Sequence, residues 1–178
     1  MEKWEKLMLE LASVDCKLVA VSKTKPIDAI LDLYNKGQRK FGENRAQELV
    51  RKNEQLPGDI EWHMIGHLQS KKAKQILPFI HMIESVDNLK LLEVIDKRAT
   101  QLGRKIKILL QFKIASEETK YGFELETFLT HFHPETYQYV EFCGVMGMAS
   151  FTDDKEKVRS EFKRLKEIFD LIKSSRSN

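Results

Sequence analysis

Short β-branched runs alternate with amphipathic helical stretches along almost the whole chain, and this alternation constrains the fold more than any other feature. Residues 17–22 (KLVAVS) read as a strand, and Pro26 opens a helix with Ile27, Ile30, Leu31 and Tyr34 on one face, ending before Gly37. Residues 40–43 form a brief second strand, followed by a helix burying Ala46, Leu49 and Val50. After the Pro57–Gly58–Asp59 turn, residues 60–65 (IEWHMI) make a third strand, with a helix near 71–77. A fourth strand over 81–86 leads to Asp87, read as the cap of a helix carrying Leu91, Leu92, Ile95, Ala99 and Leu102 and ending at Gly103. Strand five is 106–113 (IKILLQFK), a helix runs near 124–132, and strand six is 140–146. The last helix, 155–173, is apolar at Val158, Phe162, Leu165, Phe169 and Ile172.

Six strand-then-helix units imply parallel strands joined by helical crossovers. No linker or low-complexity stretch divides the 178 residues, so residues 1–178 are expected to form one domain. An open doubly wound sheet and a β/α barrel both satisfy the pattern, although a barrel needs eight units and about 250 residues. The net charge of +3, from 30 basic and 27 acidic residues, is too small and too mixed to favour nucleic acid or a membrane surface. No window is apolar enough to span a bilayer, and the N-terminus reads as a short amphipathic helix. Two isolated cysteines, Cys16 and Cys143, fit a reducing compartment, read as the cytoplasm.

In both architectures, ligands bind beyond the C-terminal ends of the strands. Lys23 stands first at that end, directly after the aliphatic run of strand one, with Lys25 two residues on. An amine there, flanked by aliphatics and a second cation, reacts with an aldehyde if its pKa is lowered. The plain alternative is a solvated lysine closing the strand. Strand two ends in Gly42–Glu43–Asn44, strand three in GHLQSKK, and strand six in GVMGMASFTDD. Asn44 and Gln69 offer neutral hydrogen-bond groups, and Lys71, Lys72 and Lys74 offer charge for a phosphate or form an ordinary solvated helix face. There is no GxGxxG, Walker loop or nucleophile elbow. His63 falls in a strand and His67 in the following loop, so their spacing does not read as a metal site, and none is expected.

Taken in order, AVSKTKP, GQRKFGENRAQE, IEWHMIGHLQSKK, IESVD, ETKYGF and GVMGMASFTDD resemble the pyridoxal phosphate homeostasis protein family. The fold of that family is similar to the N-terminal barrel of alanine racemase. The resemblance implies a TIM-type β/α barrel with about six of its eight units present, strands seven and eight being missing after SSRSN. It implies that Lys23 holds pyridoxal 5′-phosphate as a Schiff base, with Asn44, His63 and Met146 lining the cofactor pocket. It also implies a non-catalytic role in vitamin B6 homeostasis, with apo pyridoxal-phosphate enzymes as partners. With the last two units absent, strands one and six would be open edges and the phosphate would lose its cradle, so weak cofactor binding is expected. The alternative is a Schiff-base enzyme, racemase-like or aldolase-like, with Glu43, Glu84 or Asp87 near strand ends to move protons. A basic nucleic-acid-binding domain ranks last, because the lysines near 71–74 lack interleaved aromatics.

Overall fold

The computed structural model describes residues 3–115 and 121–175. Residues 118–120 of the ETKYGF stretch and 176–178 of SSRSN lie outside them. After helix α1 (Lys3–Ser13), six strands alternate with helices: β1 (Ala20–Val21), α2 (Ile27–Asn35), β2 (Lys40–Glu43), α3 (Ala46–Asn53), β3 (Glu61–Met64) and α4 (Ser70–Ile76) come first. They are followed by β4 (Met82–Val86), α5 (Leu89–Leu102), β5 (Ile106–Phe112), α6 (Leu125–His131), β6 (Val140–Gly147) and α7 (Lys155–Ser175). All neighbouring strands pair in parallel, and the sheet order is β1-β2-β3-β4-β5-β6. Sequential order with a helix after each strand is how a β/α barrel is wound, whereas a doubly wound sheet reverses its strand order partway. The fold is therefore six β/α units of a barrel-type sheet, with β1 and β6 at its two edges.

Side-chain alternation gives the sheet two unlike faces. Phe41, Trp62, Met64, Ile83, Ile108 and Leu110 point toward the helices and are almost fully buried. There they meet Ile30, Leu49, Ile76, Leu92 and Ile95 from α2 to α5 in one continuous core. The opposite, inner face is aligned by register, with Gly42 beside His63, His63 beside Met82, Met82 beside Lys107 and Lys107 beside Glu141. It mixes polar and apolar side chains, buried at Gly42, His63 and Gln111 and part-exposed at Met82 and Lys107.

The structure departs from the expected elements in four places. Strand one shrinks from residues 17–22 to Ala20–Val21, because an edge strand has a ladder on one side only. The Gln38 amide donates to the Leu18 carbonyl (3.1 Å), replacing the backbone pairing. Asp87 is not the cap of α5. Asn88 is, its side chain accepting from the Leu91 amide at 2.8 Å, while Asp87 is drawn to His67. Leu102, expected on the buried face of α5, is 47% exposed at the helix end. On α7 the buried residues are Glu161, Ile168 and Ile172, and Phe162 is 47% exposed. Glu161 turns inward because it accepts from both the amide and the hydroxyl of Ser150, at 2.7 Å each, tying the end of the β6 loop to the helix.

Candidate functional site

At the C-terminal end of the strands a cavity of about 460 Å³ opens on the inner face. Lys23 follows β1, Asn44 follows β2, Glu84 lies on β4, Gln111 on β5 and Met146 on β6, and all five line it. Two close backbone approaches shape its walls. A Cβ on Gly66 would lie 2.5 Å from the Asn44 carbonyl oxygen, so only glycine lets the β3 loop press on Asn44 and hold it in place. Gly122 has φ +144°, and a Cβ there would lie 2.8 Å from the Lys113 nitrogen. That turn lets Phe123 N–H donate to the Gln111 carbonyl (2.7 Å) and the Gln111 side-chain amide donate to the Tyr121 carbonyl (2.9 Å). Tyr121 is thereby laid over His67, with ring centroids 3.9 Å apart and planes within 10°. The His67 ring is fixed from behind by Asp87, 2.6 Å from its Nδ1.

The Lys23 loop is held by a buried ionic network on the helix-facing side. Lys52 Nζ donates to Glu43 Oε1 (2.6 Å), Glu48 Oε1 (2.8 Å) and the Ser22 carbonyl (2.7 Å), which uses all three of its hydrogens. Ser22 Oγ donates to Glu43 Oε1 at 2.7 Å, and Thr24 N–H donates to Glu48 Oε1 at 2.7 Å. Thr24 has φ +63°, a left-handed conformation that a β-branched residue adopts only at a cost of about 1 kcal/mol or more. The Glu48 hydrogen bond offsets that cost. Burial pushes the Glu48 carboxyl up, but the Lys52 and Thr24 hydrogen bonds, with the Lys52 and Arg51 charges, outweigh it and hold the group below its ordinary value. Backbone on both sides of Lys23 is thus clamped, while its side chain is exposed at the cavity rim.

The expected desolvation of Lys23 is absent, because the residue is exposed. Lys25 lines hollows against α2 and α3 and not this cavity. Glu43, considered as a proton-moving group, is fully buried on the helix-facing side and belongs to the clamp. His63 is 4% exposed and sits beneath the cavity floor, where its Nδ1 lies 2.6 Å from Oε1 of the cavity-lining Glu84. A second hollow of about 410 Å³ lies between β6 and α7, against Phe142, Val145, Phe169 and Ile172, and lacks this convergence of polar groups from several strands.

A family model of the alanine racemase N-terminal domain matches residues 2–178. The pyridoxal phosphate homeostasis protein of Helicobacter pylori is 39% identical over 165 residues, covering 89% of this chain and 73% of that protein. The Homo sapiens protein of the same name is 35% identical over 157 residues, covering 82% of this chain and 57% of that protein. This chain belongs to the pyridoxal phosphate homeostasis protein family. The fold follows the family closely. PipY of Synechococcus elongatus, solved without PLP, superposes with a TM-score of 0.83 at 33% identity, over 92% of this chain and 79% of that chain. PipY with PLP bound superposes with a TM-score of 0.80 at 32% identity, over 93% and 81%. An alanine racemase of Clostridium difficile, at 15% identity and a TM-score of 0.69, shares the fold.

Within this family member, then, Lys23, Asn44 and Met146 meet at one cavity and His63 reaches it through Glu84. The sequence reading missed His67, Gln111 and Tyr121 as cavity residues, and considered Glu84 only as an alternative proton carrier. A signal for Gln111 was available, since it is the one uncharged polar residue in IKILLQFK. Tyr121 carried no such signal, because its position depends on the Gly122 turn.

Proposed function

We propose that this protein binds pyridoxal 5′-phosphate in the cavity at the strand ends and acts as a binding protein in vitamin B6 homeostasis, not as an enzyme. The observation that carries the reading is the convergence of Lys23, Asn44 and Met146, from three separate strand ends, on one cavity of about 460 Å³. That volume lies within the usual range for small-ligand sites. The residues present fit the group. A primary amine stands on the rim, an amide and a carboxylate reach in, and the Tyr121–His67 pair offers a flat wall. The relatives' names and the PLP-bound PipY structure support the same reading.

When bound, the cofactor supplies an aldehyde that a primary amine captures, and Lys23 is the amine on this rim. The clamp of Ser22, Glu43, Glu48 and Lys52 holds the Lys23 backbone so that the amine starts close to its target, which is where proximity acts. Asn44 is positioned by Gly66 to donate or accept a hydrogen bond, and Gln111 by the Tyr121 carbonyl. The His63 ring orients Glu84. The chain carries two free cysteines and, among the described residues, no helix long and apolar enough to cross a membrane. We place its action in the cytoplasm, with apo pyridoxal-phosphate enzymes as recipients of the cofactor.

Borohydride fixation at one equivalent of pyridoxal 5′-phosphate, followed by peptide mapping, tests the reading. The label is expected on Lys23 and lost from that peptide in Lys23→Ala. Label scattered over surface lysines of the wild-type chain would overturn it.

A further inference from the structure

Below the cavity the inner face gathers a second group of side chains, of which the cofactor reading uses only His63, and that only through its contact with Glu84. Glu61 and His63 are two apart on β3 and so share a face. His81, just before β4, is brought beside them by its backbone N–H, which donates to the Trp62 carbonyl at 2.9 Å. His81 Nε2 lies 3.3 Å from Glu61 Oε2, and the His63 and His81 ring centroids are 5.3 Å apart. One ligating atom from each of the three residues falls within 4.8 Å of the others.

The His63 ring adds an independent observation. Its Nδ1 faces the Glu84 carboxylate at 2.6 Å, and a carboxylate only accepts, so Nδ1 donates there and Nε2 is the ring nitrogen turned toward Glu61 and His81. That Nε2 is buried and has no hydrogen-bond partner among the described residues. A buried polar atom without a partner costs about 1–3 kcal/mol. A ring that gives one N–H to a carboxylate and leaves the other nitrogen unpartnered beside further ligating groups has the arrangement of a metal-ligating histidine with its outer partner.

We propose that Glu61, His63 and His81 form a divalent-cation site of the zinc type, with two imidazole nitrogens and one carboxylate oxygen as ligands and a fourth position open toward the inner face. The ligand set is that of borderline metals, not of calcium or magnesium, which take oxygen. Side chains of Glu61 and His81 are 36% and 30% exposed, which provides both an entry path and the freedom to close on an ion. Ligands stand about 2.0–2.2 Å from zinc, so the three atoms draw together modestly from their present spacing. Lys40 is the opposing element, since its ammonium hydrogen-bonds Glu61 Oε2. A cation must take over part of that carboxylate, so Lys40 sets the affinity without supplying a ligand.

Co²⁺ and Zn²⁺ alone are the probes, used on the full chain in a Cys16→Ser, Cys143→Ser background so that thiolate does not report. One equivalent of Co²⁺ is expected to produce the visible bands of a four- or five-coordinate ion, and Zn²⁺ to displace it. His81→Ala and Glu61→Gln, both at half-exposed positions, are each expected to weaken binding at least ~10-fold, with circular dichroism unchanged. Lys40→Met is expected to tighten it several-fold. The His63 Nε2 resonance is expected to shift on adding Zn²⁺, a readout that needs no variant at this buried residue. Binding that persists unchanged in His81→Ala, that appears only with the cysteines present, or that fails to saturate at one equivalent overturns the proposal. The cofactor reading is unaffected by any of these results, since its test reads Lys23.

Discussion

The two faces of the sheet are made from the same strands but obey different rules. On the helix-facing side Phe41, Trp62, Ile83 and Ile108 exclude water, and the charges there, Glu43 and Lys52, are paired with each other. On the inner side, residues directly alternate with these carry Lys40, Glu61, His63, Glu84, Lys107 and Gln111, mostly half-exposed. The first face pays for folding and the second is left free for chemistry. Placing reactive groups on the inner face costs little stability, because those positions contribute little burial.

Trp62→Ala tests the contrast most harshly. Trp62 is 1% exposed, and its loss is expected to cost about 3–5 kcal/mol in urea unfolding. Val21→Ala, on the inner side at the β1 edge and 52% exposed, is expected to stay within about 0.5 kcal/mol. Comparable losses from both would erase the distinction. The buried ion pair comes next. Lys52→Met leaves the buried Glu43 without its counter-charge, at a cost of about 3 kcal/mol, and loosens the Lys23 loop. The double variant Lys52→Met, Glu43→Leu is expected to recover most of that stability, because it removes both charges. It is not expected to restore cofactor labelling in full, since both Ser22 tethers stay broken and only the Thr24 hydrogen bond to Glu48 remains. Recovery of labelling along with stability would mean that the clamp does not position the loop. Lys23→Ala, like Val21→Ala, has a small stability effect, within about 0.5 kcal/mol, because the side chain is exposed.

The helix-facing half of this comparison was legible in the sequence, and the inner half only in part. Strands such as IKILLQF announce themselves because every second residue must be apolar, and β2 runs from Lys40 to Glu43 as read. Strand one was over-extended because β propensity does not reveal that Leu18 is served by a side chain, Gln38, in place of a neighbouring strand. Asp87 was taken for a cap because Asp and Asn are equally good caps, and only the pull of His67 decides between two adjacent residues. Ile168 was passed over for Phe162 because a helical stripe wide enough for both leaves the choice to packing, which Glu161 and Ser150 settle. At the site, Lys23, Asn44 and Met146 could be placed because each ends or follows a strand. The His63–Glu84 pair and the His67–Tyr121 stack depend on contacts between units far apart in the chain, and no local pattern encodes them.

Acid provides the finest test, because comparing the wild type with a Glu48 variant across pH isolates one member of the clamp. Glu48 has a folded-state pKa below its ordinary value, so it contributes stability that is fully present above the ordinary glutamate range and is lost as pH falls through the folded value, below about pH 4. Protonated Glu48 keeps its shape but loses the charge that draws Lys52, and its grip on the Thr24 amide weakens. The difference in Tm between the wild type and Glu48→Gln is therefore expected to be clear at pH 6 and to close below about pH 4. Tm is the quantity to follow, because it reads the clamp directly. A gap of constant size from pH 7 to 3 would show that Glu48 acts through its shape and not its charge. The left-handed Thr24 would then be held by packing alone, and the clamp would belong with the apolar face instead of being the ionic exception within it.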